Sequence, residues 1–204
     1  MTQASDLSVA EYFARLASSY GAGEYYRKRR AAALAEIRQR LGKIENLLDL
    51  GCGNGTYLAG FRTAIDPTFL VGADLSFRMV QEAARRGATK AIVACDATVL
   101  PFRSASFHAI FCSHVLQFVA DLPPCVAEIA RCLAPGGTFI IAGGEIGVRE
   151  RLKMLRGDIR WSAFQTELPR PRDVRIRRSL GDYQDAARRA GLSVDSQRVE
   201  FTVT

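Results

Sequence analysis

Apolar residues follow two rhythms along the 204-residue chain. From Ser8 to Leu41 they recur at helical spacing. Ser8-x-x-Glu11 reads as a capping box opening a helix through about Ser19, which Tyr20-Gly21-Ala22-Gly23 breaks. A second, amphipathic helix is predicted from about Glu24 to Leu41, with Gly42 as its stop. Then the period changes. "NLLDL", "FLVGAD", "AIVACD", "AIFCSH" and "TFIIA" are short apolar runs, the pattern of strands buried on both faces. Helical spacing returns between them at about 56–64, 76–86 and 123–132.

Strictly alternating strands and helices predict an α/β fold: a Rossmann-like parallel sheet with helices on both faces. The alternation lapses over 143–178, where a basic helix is expected around 146–157 and a Pro-flanked stretch holds Trp161. Ser179-x-x-Asp182 is a further capping box, and Gly191 is a suitable stop, so 180–190 is predicted helical. "LSVDSQRVEFTVT" alternates like a strand. The expected organisation is one domain over 1–204. Its parts are an N-terminal helical lid (1–45), a cofactor-binding core (46–142), a basic insert (143–178) and a last helix and strand (179–204).

Composition narrows the classes. Hydrophobic residues are 48% and charged residues 24%, ordinary for a globular chain. No apolar run is long enough to span a membrane, and "MTQASDLSVAEYF" lacks a signal-peptide pattern, so a cytoplasmic location is expected. The five cysteines form no C-x-x-C pair and read as small buried hydrophobes rather than zinc ligands or disulfides; no metal is expected. The net charge of +7 is concentrated: residues 149–178 hold ten Lys or Arg against four acids. That excess is either a solvated basic face or a surface for an anionic partner. "RKRR" at 27–30 is a second basic knot.

The chemistry sits in "LLDLGCGNG" at 47–55. Gly51, Gly53 and Gly55 fall in the turn after the first strand, where ligands of parallel sheets bind, and glycine lets a ligand press on the main chain. Three acids extend the pattern. Asp74 ends the second strand and can accept both hydroxyls of a ribose. Asp96 ends the third; with the Ala97 N–H it can read an adenine edge. Asp49 lies inside the first strand, where a phosphate-binding turn gains nothing from a carboxylate but a cationic cofactor does. Together they describe a nucleoside joined to a cation, and S-adenosyl-L-methionine fits.

These residues resemble the class I S-adenosylmethionine-dependent methyltransferases, in the branch of quinone-biosynthesis and small-molecule enzymes. "LLDLGCGNG", "VGADLS", "ACDATVLPFRSASFHAIFCSHVLQFV" and "LAPGGTFII" carry the resemblance in order. It implies a seven-strand sheet with the cofactor over the ends of strands one to four. It also implies that Asp49 and the turn Gly51, Cys52, Gly53 and Asn54 hold the methionine end. Asp74, with Leu75 in the cofactor-binding set, would take the ribose, and Asp96 with Ala97 the adenine. Ser113 would lie near the sulfonium, and Tyr20 would be part of a lid. His108 stands where relatives usually carry Asp. Too little chain follows Phe201 for the seventh strand, so it is missing or truncated unless "RDVRIRR" (172–178) or "RVEFTVT" fills part of the gap.

The implied activity is methyl transfer to a small-molecule acceptor, anionic or on an acidic carrier. His114, after strand four, is the candidate general base, with packing or capping as its competing role. His108, at the far end of the same strand, reads as structural. Trp161, Phe164, Tyr12, Phe13, Tyr25 and Tyr26 line an acceptor pocket or belong to the core. Two rivals keep the fold. A nucleic-acid methyltransferase would use the basic excess, but "CSHV" lacks the Asn/Asp-Pro-Pro-aromatic turn of amino-methylating base enzymes. A catalytically silent partner subunit would have no chemical need of the three acids. A nicotinamide dehydrogenase fits worst, because two helices precede the first strand and no Tyr-x-x-x-Lys is present.

Overall fold

A computed structural model describes residues 8–41, 43–142 and 179–194. Five parallel strands form one sheet: β1 (Asn46–Leu50), β2 (Phe69–Asp74), β3 (Ala91–Ala94), β4 (Phe107–Ser113) and β5 (Leu133–Ala142). Their spatial order is β3-β2-β1-β4-β5. The helices are α1 (Val9–Leu16), α2 (Glu24–Leu41), α3 (Thr56–Ala64), α4 (Phe77–Arg86), α5 (Leu122–Cys132) and α6 (Leu180–Arg189). The α/β sheet expected from the sequence is therefore the observed architecture. Strand order reverses between β1 and β4, which opens a crevice at their carboxyl ends.

Two cores sandwich the sheet. Strand alternation sends Leu48 and Leu50 to one face, where they meet Ile110, Cys112, the apolar side of α5 and Ala186 of α6. Leu47 faces the other way, among Phe111, Leu58 and Phe61 of α3, Leu34 and Ile37 of α2, and Ala83 of α4. Asp49 shares the Leu47 side by the same alternation. Of the cysteines, Cys52, Cys112, Cys125 and Cys132 are buried thiols and Cys95 is half-buried.

Both capping boxes form. Ser8 Oγ accepts the Glu11 N–H while Glu11 accepts the Ser8 N–H at 2.9 Å. Ser179 and Asp182 repeat the arrangement at α6. α2 departs from the amphipathic expectation. Among its described residues the buried ones are Ala33, Leu34 and Ile37, all in the second half, and Arg27 and Lys28 stand in solvent.

β3 ends at Ala94, two residues before Asp96. The Pro-Gly-Gly segment also differs from a simple turn. Phe107 pairs with Leu133 and Ala109 with Thr138, so Ala134–Gly137 bulges out of the ladder between them. A Cβ on Gly137 would lie 2.8 Å from the Ala134 carbonyl oxygen, which explains glycine there. The expected stop at Gly42, the segment 143–178 with its helix, Trp161 and Phe164, "RDVRIRR", and the strand beyond Val194 lie outside the described residues. Among the described residues, no helix is long and apolar enough to cross a membrane.

Candidate cofactor site

The bend after β1 is stitched to the end of β2. The N–H groups of Gly51 and Cys52 both donate to the Ala73 carbonyl, at 2.7 and 2.9 Å. Gly53 N–H donates to Asp74 Oδ2 at 2.8 Å, and Ser76 N–H to Asp74 Oδ1 at 2.8 Å. Gly55 N–H closes the turn on the Cys52 carbonyl at 3.0 Å. Four of the bend's five backbone donors are thus consumed internally. A pyrophosphate-binding loop must keep such donors free. The bend is therefore unsuited to that ligand class.

The glycines have two employments. Gly51 has φ +75°, and a Cβ there would stand 1.9 Å from Val115 Cγ2. Gly55 has φ +83°, and a Cβ would lie 3.0 Å from the Ala83 Cβ. At both positions the room a side chain would need is taken by the chain itself. Only Gly53 looks onto the Tyr20 ring, at an ordinary 3.8 Å from its missing Cβ.

Asn54 reaches in the opposite direction. Its Nδ2 donates to the carbonyls of Ala17 and Tyr20, both at 2.9 Å, and so satisfies the frayed end of α1. This holds the segment carrying Tyr20 over the bend. Phe13 packs edge-on against Tyr20 and against Phe118, with ring centroids 5.7 and 5.1 Å apart, and gathers the lid aromatics onto the chain after β4.

The acids differ sharply in environment. Asp49 is 1% exposed, and its Oδ2 has no hydrogen-bond partner among the described residues. Burial, and then the Asp74 charge, push its carboxyl well above the ordinary value. Burial also raises Asp74, opposed by the N–H groups of Ser76 and Gly53. Each Asp74 oxygen keeps a lone pair for a further donor. Asp96 is exposed in a turn, its Oδ1 accepting the Thr98 N–H and hydroxyl, both at 2.8 Å. Ala97 is half-buried against the first core. Leu75, next to Asp74, is 49% exposed, and Val99 72%. An apolar surface thus stands open beside both acids, as a flat base would require.

Ser113 ends β4, half-buried. His114 follows at φ +57°, its N–H donating to the Ala142 carbonyl at 2.8 Å. It lines a small hollow with Gln117, Ile141 and Tyr183 of α6. His108 is at the other end of β4; its Nδ1 accepts the Asn46 N–H at 3.3 Å. Cys52 is a poor nucleophile, since burial, Asp49 and Asp74 hold its thiol protonated. Cys95 is likewise pushed up to about 11, by burial first and then by Asp74 and Asp96. Among the described residues no group of His, Cys, Asp or Glu could hold a metal ion.

Val115, Asn54's partner Ala17, and Tyr183 were not legible as site residues. Only the demand of Gly51 for a facing side chain would have pointed to Val115, and that demand emerges from the fold.

Comparison with known proteins agrees with this geometry. Residues 48–141 match the family described as "Methyltransferase domain". The malonyl-[acyl-carrier protein] O-methyltransferase of Alcanivorax borkumensis is 30% identical over 188 residues, covering 91% of this chain and 61% of that protein. The demethylmenaquinone methyltransferase of Beutenbergia cavernae is 39% identical over 113 residues, covering 55% of this chain and 45% of its own length. Among solved structures, a chain of the complex between the Haloferax volcanii Trm112 methyltransferase activator and its methyltransferase superposes with a TM-score of 0.70 at 27% identity, covering 93% of this chain and 80% of that one. Residues 48–141 therefore form a methyltransferase domain, similar over that span to S-adenosylmethionine-dependent enzymes. The chain spans less than two thirds of the length of the two relatives named by sequence.

The residues fit that family's cofactor. A buried carboxylate oxygen without a partner suits a cation, Asp74 has capacity for hydroxyl donors, and the bend has no free N–H row for a phosphate.

Two outcomes follow from the packing and the charge. Gly51→Ala should cost about 3 kcal/mol or more in chemical unfolding, and a cycle with Val115→Ala should return a favourable coupling of about 1–2 kcal/mol. Additive costs would show that Val115 is not what excludes a side chain. For Asp49, a folded-state value raised above the ordinary 3.8 makes ionisation a destabilising step as pH climbs past that value. Asp49→Asn should therefore stabilise the ligand-free chain by about 1–3 kcal/mol at neutral pH, with the gain vanishing below the ordinary carboxylate value. Unfolding midpoints measured across that range check it, and a variant weaker at neutral pH would refute it.

Proposed function

We propose that this chain transfers a methyl group from S-adenosyl-L-methionine to a small-molecule acceptor that is anionic or borne on an acidic carrier. The observation that carries the cofactor half is Asp49: a buried carboxylate oxygen with no partner among the described residues, in the field of the half-buried Asp74. When bound, the cofactor supplies an activated methyl group on a sulfonium. Asp49 and the bend 51–54 hold its cationic methionine end, with the Tyr20 ring as cover. Asp74 accepts ribose hydroxyls on its remaining lone pairs. Asp96, with the Ala97 N–H, takes the adenine edge, and Leu75 and Val99 bracket it with apolar surface. Ser113 stands nearest the reacting centre.

On the acceptor side, His114 receives a proton from an oxygen, nitrogen or acidic carbon as the new bond to the methyl forms. Tyr183 of α6 shares its hollow. Alignment and exclusion of water do the remainder. Two things support an anionic acceptor. Residues 149–178 hold ten cations against four acids, and the Alcanivorax relative is named for a carboxylated acyl group on a carrier protein.

Calorimetry tests both halves. S-adenosylmethionine and its demethylated product should bind, and NAD should give no heat; the reverse would overturn the cofactor half. Affinity for a malonylated carrier protein should fall steeply with salt, whereas a flat response, or tighter binding of RNA, would remove the anionic-carrier reading. His114→Ala should lower turnover about 100-fold or more, and turnover within a few-fold at every pH would remove the base.

A further inference from the structure

Two side chains of helix α5 address the backbone of Leu100, four residues after Asp96. Leu100 N–H donates to Glu128 Oε2 at 2.9 Å, and the Leu100 carbonyl accepts from Arg131 Nη2 at 3.0 Å. Both polar groups of one residue are thereby read by one ion pair. The pair is itself bidentate: Arg131 Nε to Glu128 Oε1 at 2.7 Å, and Nη2 to Oε2 at 2.8 Å. Arg131 Nη1 extends the hold to the Phe102 carbonyl at 2.8 Å.

The turn carrying Asp96 lies between two anchors. On one side Cys95 N–H donates to the Asp74 carbonyl at 3.0 Å and continues the β2–β3 ladder. Asp96 and Val99 then close a turn, Val99 N–H to Asp96 O at 3.1 Å, and Leu100 comes next, buried. Asp96 itself is exposed, and among the described residues its side chain bonds within the turn, to Thr98. Those two bonds orient the carboxylate relative to the turn, and the flanks fix where the turn stands. An exposed turn held at one end would lose its freedom on binding, at a cost to affinity.

We propose that Glu128 and Arg131 are positioning residues for the adenine of the cofactor: they fix Leu100, and through it the turn that presents Asp96 and the Ala97 N–H. The inference rests on the adenine reading of Asp96 given above. It differs from a general role in stability because it concerns one edge of one base.

The test compares two ligands by calorimetry: S-adenosylhomocysteine and S-inosylhomocysteine, in which an oxo group replaces the adenine amino group. The wild-type chain should favour the adenine compound about tenfold or more, because the oxo group would face a carboxylate. In Glu128→Ala and Arg131→Ala that preference should shrink to about threefold or less, through weaker adenine binding with inosine binding little changed. Arg131→Lys keeps the charge without the fork and should also lose most of the preference, which guards against an Ala variant that does not fold. Equal weakening of both ligands, with the preference intact, would overturn the positioning role while leaving Asp96's part standing. A wild-type chain with no preference would overturn the adenine reading and this inference with it.

Discussion

Two carboxylates close enough to feel each other's charge serve one backbone bend, and no cation of the described residues offsets them. Asp49 is held inside the sheet and Asp74 at its tip, and burial raises both. A fold that keeps such a pair accepts a standing electrostatic cost. The surrounding architecture is what makes that cost bearable: Asp74 has two backbone donors, while Asp49 keeps an oxygen with none. The asymmetry leaves one acid structurally committed and the other with an unsatisfied oxygen among the described residues.

The same few atoms join the site's separate elements. Asp74 ties the bend after β1 to the start of α4, Asn54 ties it to the end of α1, and Val115 lies on Gly51 from beyond β4. Lid, cofactor bend and acceptor side are therefore mechanically continuous. A shift at Tyr20 must be felt at Gly53 and at the residues after Ser113, because close-packed interiors transmit displacement. The outer end of the site is built differently. Its acid is exposed and is located by a turn whose flanks are anchored from β2 and α5.

What could be read from the chain alone was local. The change from helical to strand spacing after Leu41, the two capping boxes and the acids at or near successive strand ends each follow from residues close in sequence. The placement of Asp49, Asp74 and Asp96 within or just after successive strands was legible in the same way. What escaped was long-range. Nothing near Gly51 says that Val115 will occupy its missing side chain, 64 positions on, and nothing near Asn54 points back to Ala17. The packing demand on the glycines was hidden for that reason: a bare bend looks like room for a ligand, and the side-chain directions of Gly51 and Gly55 are filled by the fold. α2 was read as amphipathic, but its buried residues among those described, Ala33, Leu34 and Ile37, all lie in its second half.

The central claim is that Asp49 awaits a cation, and its own titration answers that most directly. With aspartate carboxyl carbons labelled, the Asp49 resonance in the free chain should titrate at a midpoint above the ordinary 3.8. Saturating S-adenosylmethionine should bring that midpoint down, because a bound positive charge favours the carboxylate. A midpoint unmoved by the ligand, or moved upward, would contradict the claim.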